Sequence, residues 1–235
     1  MKIVVISDIH GNLEALTSLR ETYDELWVLG DLVNYGPNPG EAVDFVRANA
    51  SLVVRGNHDH ALGFDEDARC SAPFREMAEA MKEYTASVLS PAQKTFLREL
   101  PLRIEREIDG VRFSCCHASP ADPLFAYCPP DSPQWKEEIE GLEAETLLVG
   151  HTHLPFVRRM GGKSVVNPGS LGQPKTGSPA ACCAVLSEGT VELRTFDYPF
   201  EQTIQKIERL PIRAAVKAAL AAVLRNGGLP TVSRT

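Results

Sequence analysis

Lys2-Ile3-Val4-Val5-Ile6-Ser7-Asp8-Ile9-His10-Gly11-Asn12 is the stretch on which the reading of this chain turns. Its first five residues form a β-branched, apolar run of strand length, and the run breaks off at once into polar residues. Asp8 and His10 are two apart, so in an extended exit their side chains point the same way, about 6 to 7 Å apart at Cα. One cation could hold both, and a carboxylate beside an imidazole suits a borderline divalent metal such as manganese, iron or zinc. A turn whose Asp and His only cap the next helix explains the same two residues. What weighs against that simpler explanation is recurrence, because strands that end in potential ligands appear again along the chain.

At 235 residues the chain reads as one domain spanning 1–235, long enough to bury a core without metals or disulfides. No apolar run reaches the roughly 20 residues needed to cross a bilayer. No charged-then-apolar leader precedes the first strand, so a cytoplasmic protein without membrane contact is expected. A formal charge of -7 argues against stable nucleic-acid binding, though not against a nucleotide substrate. Cys115-Cys116 and Cys182-Cys183 lie inside apolar runs as adjacent pairs, which places them on opposite sheet faces as buried, reduced thiols.

The first third alternates strand and helix, which indicates the α/β class. Asn12 caps a helix expected to run to about Tyr23, with Leu13, Leu16 and Leu19 on one face. The strand Glu25 to Leu29 ends in Gly30-Asp31, and a Pro/Gly/Asn loop from Asn34 to Gly40 leads into a helix carrying Ala42, Val43, Phe45 and Val46. Ser51 to Val54 ends in Arg55-Gly56-Asn57-His58-Asp59-His60. Residues 61–105 change character and read as a helical insertion, in which Phe74, Met77, Met81 and Tyr84 have helical spacing and Ser90-Pro91-Ala92-Gln93 is a capping box. Strands return at Val111 to Cys116, ending in His117, and at Thr146 to Val149, ending in Gly150-His151-Thr152-His153. Between them a Pro-rich segment, 120–133, with Asp122, Phe125, Tyr127 and Trp135 in or beside it, is either a lid or a surface loop. Further strands are expected over Phe156–Arg159, Lys163–Val166, Ala180–Leu186 and Val191–Phe196. A helical tail follows over about 199–228, whose Ala-rich face suits packing on the sheets or on a second subunit in a homodimer.

All six histidines, His10, His58, His60, His117, His151 and His153, fall at strand ends rather than scattered through helices and tail. With Asp8, Asp31 and the Asn57 carbonyl oxygen they provide about seven ligands, roughly what two open-sided metal ions need. Two ions about 3.5 to 4 Å apart require a shared carboxylate, and Asp31, alone at its strand end, is the natural bridge.

Asp8-x-His10, Gly30-Asp31, Gly56-Asn57-His58-Asp59, His117 and Gly150-His151-x-His153, in that order, resemble the calcineurin-like metallophosphoesterase superfamily. Asn167-Pro168-Gly169-Ser170 followed by Gly172-Gln173-Pro174 resembles its small bacterial and archaeal phosphodiesterases. The resemblance implies a four-layer αββα sandwich of two mixed sheets flanked by helices. It also implies one metal on Asp8, His10, Asp31 and His153, and a second on Asp31, Asn57, His117 and His151. Superfamily members that act on phosphoproteins carry an arginine late in the Gly-Asp motif, where this chain has Tyr35, which argues against that substrate.

A phosphate ester repels an anionic nucleophile, so a site must cancel substrate charge and supply hydroxide at neutral pH, and two divalent ions do both. The expected reaction is in-line attack by a hydroxide held between the metals. His58, left free by the resemblance, protonates the leaving oxygen, and Asp59 orients its ring and keeps it charged. Asn57, Arg55 and Tyr35 are candidates to touch a small phosphodiester, which includes nucleotide-like ones, while Arg55 beside a tight turn also suits a structural role. His60 is expected to support the site without reacting. Manganese leads the metals, with iron, nickel and zinc also compatible. A monoesterase, a dinucleoside polyphosphate hydrolase and a non-catalytic scaffold on the same fold are the other readings. Added manganese with bis-p-nitrophenyl phosphate separates the last from the others.

Overall fold

A computed structural model of the chain describes residues 1–228; the end of the expected domain, 229–235, lies outside the described residues. In chain order the elements are β1 Lys2–Ile6, α1 Leu13–Thr17, β2 Glu25–Val28, α2 Pro39–Asn49, β3 Leu52–Val53, α3 Asn57–Phe64, α4 Ala72–Val88, α5 Pro91–Glu99 and β4 Arg103–Ile108. They continue with β5 Val111–Cys116, α6 Gln134–Glu140, β6 Thr146–Leu148, β7 Phe156–Met160, β8 Lys163–Asn167, β9 Ala181–Ser187, β10 Thr190–Phe196, α7 Phe200–Glu208 and α8 Ala214–Asn226.

Two five-stranded mixed sheets form, in the orders β10-β9-β1-β2-β3 and β4-β5-β6-β8-β7. The period of two in β1 explains how they stack. Ile3 and Val5 face the second sheet, joining Trp27, Leu29, Phe113, Cys115, Leu148 and Val166 in the middle layer. Val4 and Ile6 face the other way, onto Leu16, Ala42, Val43, Val46 and Leu97 of the flanking helices. A strand buried on both faces must be apolar throughout, and that is the composition of β1. The outer face of the second sheet, with Cys116, Leu147 and Val165, is closed by Trp135 and Ile139 of α6. Cys115 and Cys116 thus enter different layers, as adjacent strand residues must, and the six cysteines are all free thiols. This is the αββα sandwich.

Several boundaries depart from the sequence reading. The α1 helix stops at Thr17 rather than near Tyr23, although Asn12 does cap it through Oδ1 and the Ala15 N–H at 3.2 Å. Asn57, His58, Asp59 and His60 lie in the first turn of α3, not in a trailing strand end. The helical insertion expected over 61–105 therefore begins at Asn57, and its last residues belong to β4, an edge strand with only Ile104 and Ile108 packed on the core. The Ser90 capping box of α5 forms as expected. The tail is two helices, divided around Pro211, and α8 packs Val216, Leu220, Val223 and Leu224 against Met77 and Met81 of α4. Its apolar face is thus covered by its own chain. Among the described residues no helix is long and apolar enough to cross a membrane.

Trp27 anchors the middle layer: it is fully buried, sits edge-on to Phe113 at 5.4 Å, and donates Nε1–H to Glu25 Oε2 at 2.6 Å. Trp27→Ala is expected to lower stability by about 3–5 kcal/mol, measured by urea denaturation. An unchanged midpoint contradicts the assignment of this layer as the core.

Candidate metal centre and substrate cavity

The carboxyl ends of β1, β2, β5 and β6 meet along one edge of the sandwich, where α/β sheets present their loops. The loops stitch to one another through backbone. Asp8 N–H bonds Gly30 O at 3.0 Å, His10 N–H bonds Asp31 O at 2.9 Å, Gly150 N–H bonds His117 O at 2.8 Å, and Gly172 N–H bonds Asp8 O at 3.0 Å. The exit from β1 is not extended: Asp8, His10, Asp31, His151 and His153 all have φ between 48° and 65°. Such turns aim successive side chains inward at a cost of order 1–3 kcal/mol each. Gly56, immediately before Asn57, leaves no room for a Cβ, which would collide with Asp31 Oδ1.

Each buried aspartate is tethered through one oxygen and open at the other. Asp8 Oδ2 accepts the His151 N–H at 3.2 Å and Asp31 Oδ1 accepts the His58 N–H at 2.9 Å. Asp8 Oδ1 and Asp31 Oδ2 are buried with no hydrogen-bond partner. Around these two oxygens stand imidazoles whose Nδ1 is already engaged. His10 donates to Val33 O at 3.1 Å, His117 to Leu29 O at 2.6 Å and His153 to Gln173 O at 2.6 Å. Fixing Nδ1–H in this way turns each Nε2 toward the centre as a donor atom.

Two ligand groups result, Asp8 with His10 and His153, and Asp31 with His117 and His151, the atoms of each lying within 4.8 Å of one another. Asp31 Oδ2 faces both, at 3.2 Å from His117 Nε2 and 3.8 Å from His10 Nε2. Asn57 Oδ1 lies 3.1 Å from His117 Nε2 and 3.1 Å from His151 Nδ1. The structure therefore brings together Asp8, His10, Asp31, Asn57, His117, His151 and His153. Orphaned buried carboxylate oxygens facing nitrogen donors are a donor set that fits borderline divalent cations.

The electrostatics agree. Burial pushes Asp8 up to about 6 and holds His10 and His151 down to about 3. Burial alone would raise Asp31, but the charges of His117 and His58 hold it well below the usual carboxylate range. Burial alone would lower His117, but Asp31 lifts it to about 9. A proton on His117 thus does by itself what a cation between the carboxylates would do.

Beside these groups opens a cavity of about 190 Å³ whose walls include His58, Tyr35, Cys70, Phe125, Tyr127 and Lys175. His58 is not oriented by Asp59. The Asn34 amide orients it instead: its Oδ1 accepts the Tyr35 N–H at 2.9 Å, and its Nδ2 donates to Ala78 O at 3.2 Å and to His58 Nδ1 at 2.7 Å. That leaves the ring proton on Nε2, toward Cys70 Sγ at 3.4 Å on the cavity wall. Asp59 instead ties loops together, accepting the N–H groups of Asp31 and Leu32 at 2.8 Å and of Gly56 at 3.0 Å. Its side chain is fully consumed there, so it neither aligns His58 nor meets substrate.

Tyr35 lies on the cavity wall, edge-on to His10 and His58 at 4.9 Å each. Arg55 does not line the cavity; it donates to Arg98 O at 2.6 Å and stacks on Phe64. His60 pairs with Glu66 at 3.2 Å on the surface. Of the Pro-rich segment, Phe125 and Tyr127 border the cavity, whereas Trp135 is buried beneath the second sheet. Arg69, Cys70 and Lys175 also line the cavity and carried no pattern in the sequence; Gln173, from the Gly172-Gln173-Pro174 motif, lines it too.

Fold and site together define a hydrolase of the metal-binding αββα class. The calcineurin-like phosphoesterase superfamily domain matches residues 1–190, and the chain belongs to that superfamily. It is similar to a crystal structure of a metallophosphoesterase from Sphaerobacter thermophilus, with a TM-score of 0.80 and 29% identity over 94% of this chain and 99% of that one. An uncharacterised protein of Methanocaldococcus jannaschii is 32% identical over 234 residues, 89% of this chain and 93% of the relative. Phosphodiesterase YfcE of Escherichia coli is 26% identical over 197 residues, 77% of this chain and 85% of the relative.

Asp59→Ala strands the N–H groups that Asp59 serves and is expected to cost at least about 1–3 kcal/mol of stability, read by urea denaturation. A variant as stable as wild type contradicts the role given to Asp59 here.

Proposed function

We propose that this chain is a phosphodiesterase acting on a small or nucleotide-like diester with two divalent ions, one on Asp8, His10, Asp31 and His153 and the other on Asp31, Asn57, His117 and His151. The observation that carries the reading is the pair of buried, unpartnered oxygens, Asp8 Oδ1 and Asp31 Oδ2, facing imidazole nitrogens beside an open cavity. When bound, such ions neutralise phosphate charge and make water acidic enough to attack at neutral pH.

The chain's own residues supply the remainder. Asp31 serves both positions, because its tethered Oδ1 fixes the orientation of its free Oδ2. His10, His117 and His153 each have Nδ1–H committed to a carbonyl partner, which fixes the ring and leaves Nε2 facing the metal positions. His58, whose Nε2–H is turned to the cavity by Asn34, is placed to donate a hydrogen bond to the leaving oxygen of the ester and so stabilise the charge that develops there. Tyr35, packed edge-on against the His58 and His10 rings, restricts their rotation. The cavity walls of Phe74, Phe125 and Tyr127 suit the flat organic group of a diester better than a bare phosphate. Similarity to a protein named phosphodiesterase supports the diester preference.

In manganese, His58→Ala is expected to retain its metal content by elemental analysis and to lose about 10²–10⁴-fold in turnover of bis-p-nitrophenyl phosphate. Near-normal turnover would remove His58 from the reaction. Asp31→Asn is expected to lose both metal and turnover, since the lost charge is the one shared between the positions. Full metal content in that variant contradicts the shared role.

A further inference from the structure

Part of the cavity wall carries cations that the reaction above does not use. Lys175 is half-buried, and among the described residues it makes no hydrogen bond and no ion pair; its ammonium lies 4.7 Å from the ring centre of Phe74. Arg69 also lacks an ion pair among the described residues, and its guanidinium lies 4.1 Å over the ring of Phe125. Two residues before Lys175 stands Gln173, which also lines the cavity. Its backbone oxygen holds the His153 ring, yet its own amide, at 2% exposure, has neither atom satisfied. All three residues line the same cavity as His58 and Asp31.

Aromatic faces offset part of the cost of holding a cation but offer the N–H groups no acceptor in their plane. A buried amide without partners adds a further cost. A group with several acceptor oxygens and negative charge would engage both cations and the Gln173 Nε2–H. Among the described residues neither cation forms an ion pair with Asp8 or Asp31, so both stand free for an anion that extends beyond the metal positions.

Resting on the diesterase reading, we propose that Lys175, Gln173 and Arg69 receive a second phosphate of the substrate, so that the preferred diester carries a phosphate beyond the one cleaved. Phe74 and Phe125 serve both as platforms for the two cations and as walls for the organic moiety between the phosphates. The specificity of the site then lies in residues 69–74, 125 and 173–175, outside the motifs that build the metal centre.

The test compares substrates sharing one scissile linkage: the dinucleotide ApA and its 5′-phosphorylated form pApA, with full-length, manganese-loaded protein. Wild type is expected to favour pApA in kcat/KM by about tenfold or more, the worth of a charge-assisted contact. Lys175→Met and Arg69→Gln are each expected to shrink that ratio, and Lys175→Arg to keep most of it. Equal rates on both dinucleotides, or a fall on both in the same proportion in Lys175→Met, overturns the proposal; the second result would put Lys175 on the scissile phosphate. Should Lys175→Met fail to fold by circular dichroism, Arg69→Gln, on an exposed residue, decides by the same ratio. Cleavage of bis-p-nitrophenyl phosphate but of neither dinucleotide overturns this inference and leaves the diesterase reading standing. Cleavage of none of the three removes both.

Discussion

The structure depends on how two buried carboxylates are kept charged. Asp8 and Asp31 lie at the ends of neighbouring parallel strands, excluded from water, where an isolated anion is strongly disfavoured. Each is anchored by a backbone N–H from a distant segment, His151 for Asp8 and His58 for Asp31. The anchoring oxygen is satisfied and the other is not, so the site carries a standing demand for positive charge. His117 meets part of it with a proton, and the convergent nitrogens around it are suited to replacing that proton with metal.

That demand accounts for the form of the surrounding loops. To aim Asp8, His10, Asp31, His151 and His153 at one point, the chain takes left-handed turns, which non-glycine residues rarely adopt although Asp and His tolerate them better than most. The strain is tolerated because the turns are over-determined: Asp59 accepts N–H groups from two of the loops, and Ser170 Oγ and Gly172 N–H both bond Asp8 O. The sandwich beneath contributes rigidity rather than chemistry. With β1 packed on both faces, its last residue has little freedom, and the site inherits that precision.

Much of this was legible because it follows from short-range rules. The β-branched run before Asp8, the capping box at Ser90, the opposite facing of Cys115 and Cys116, and the gathering of histidines at chain reversals are consequences of period and residue type. What escaped depends on tertiary partners. β4 has two inward apolar residues and borrows its strand character from β5. The early stop of α1 has no breaker in the sequence. Asp59 stands next to His58 in the chain, yet the first turn of a helix points neighbouring side chains apart, which hands the orienting role to Asn34 from another loop. Arg55 is drawn away by Phe64 and the Arg98 carbonyl. Lys175 and Arg69 gain meaning only from the aromatic faces they meet in space.

The central claim is that residues distant in sequence share a pair of cations with Asp31 between them. Anomalous diffraction at the manganese edge, from crystals grown with manganese, tests it most directly. The expected map has two peaks flanking the Asp31 carboxylate, one toward Asp8, His10 and His153 and the other toward Asn57, His117 and His151. A map with no peak at Asp31, or with manganese bound only elsewhere on the surface, would contradict it.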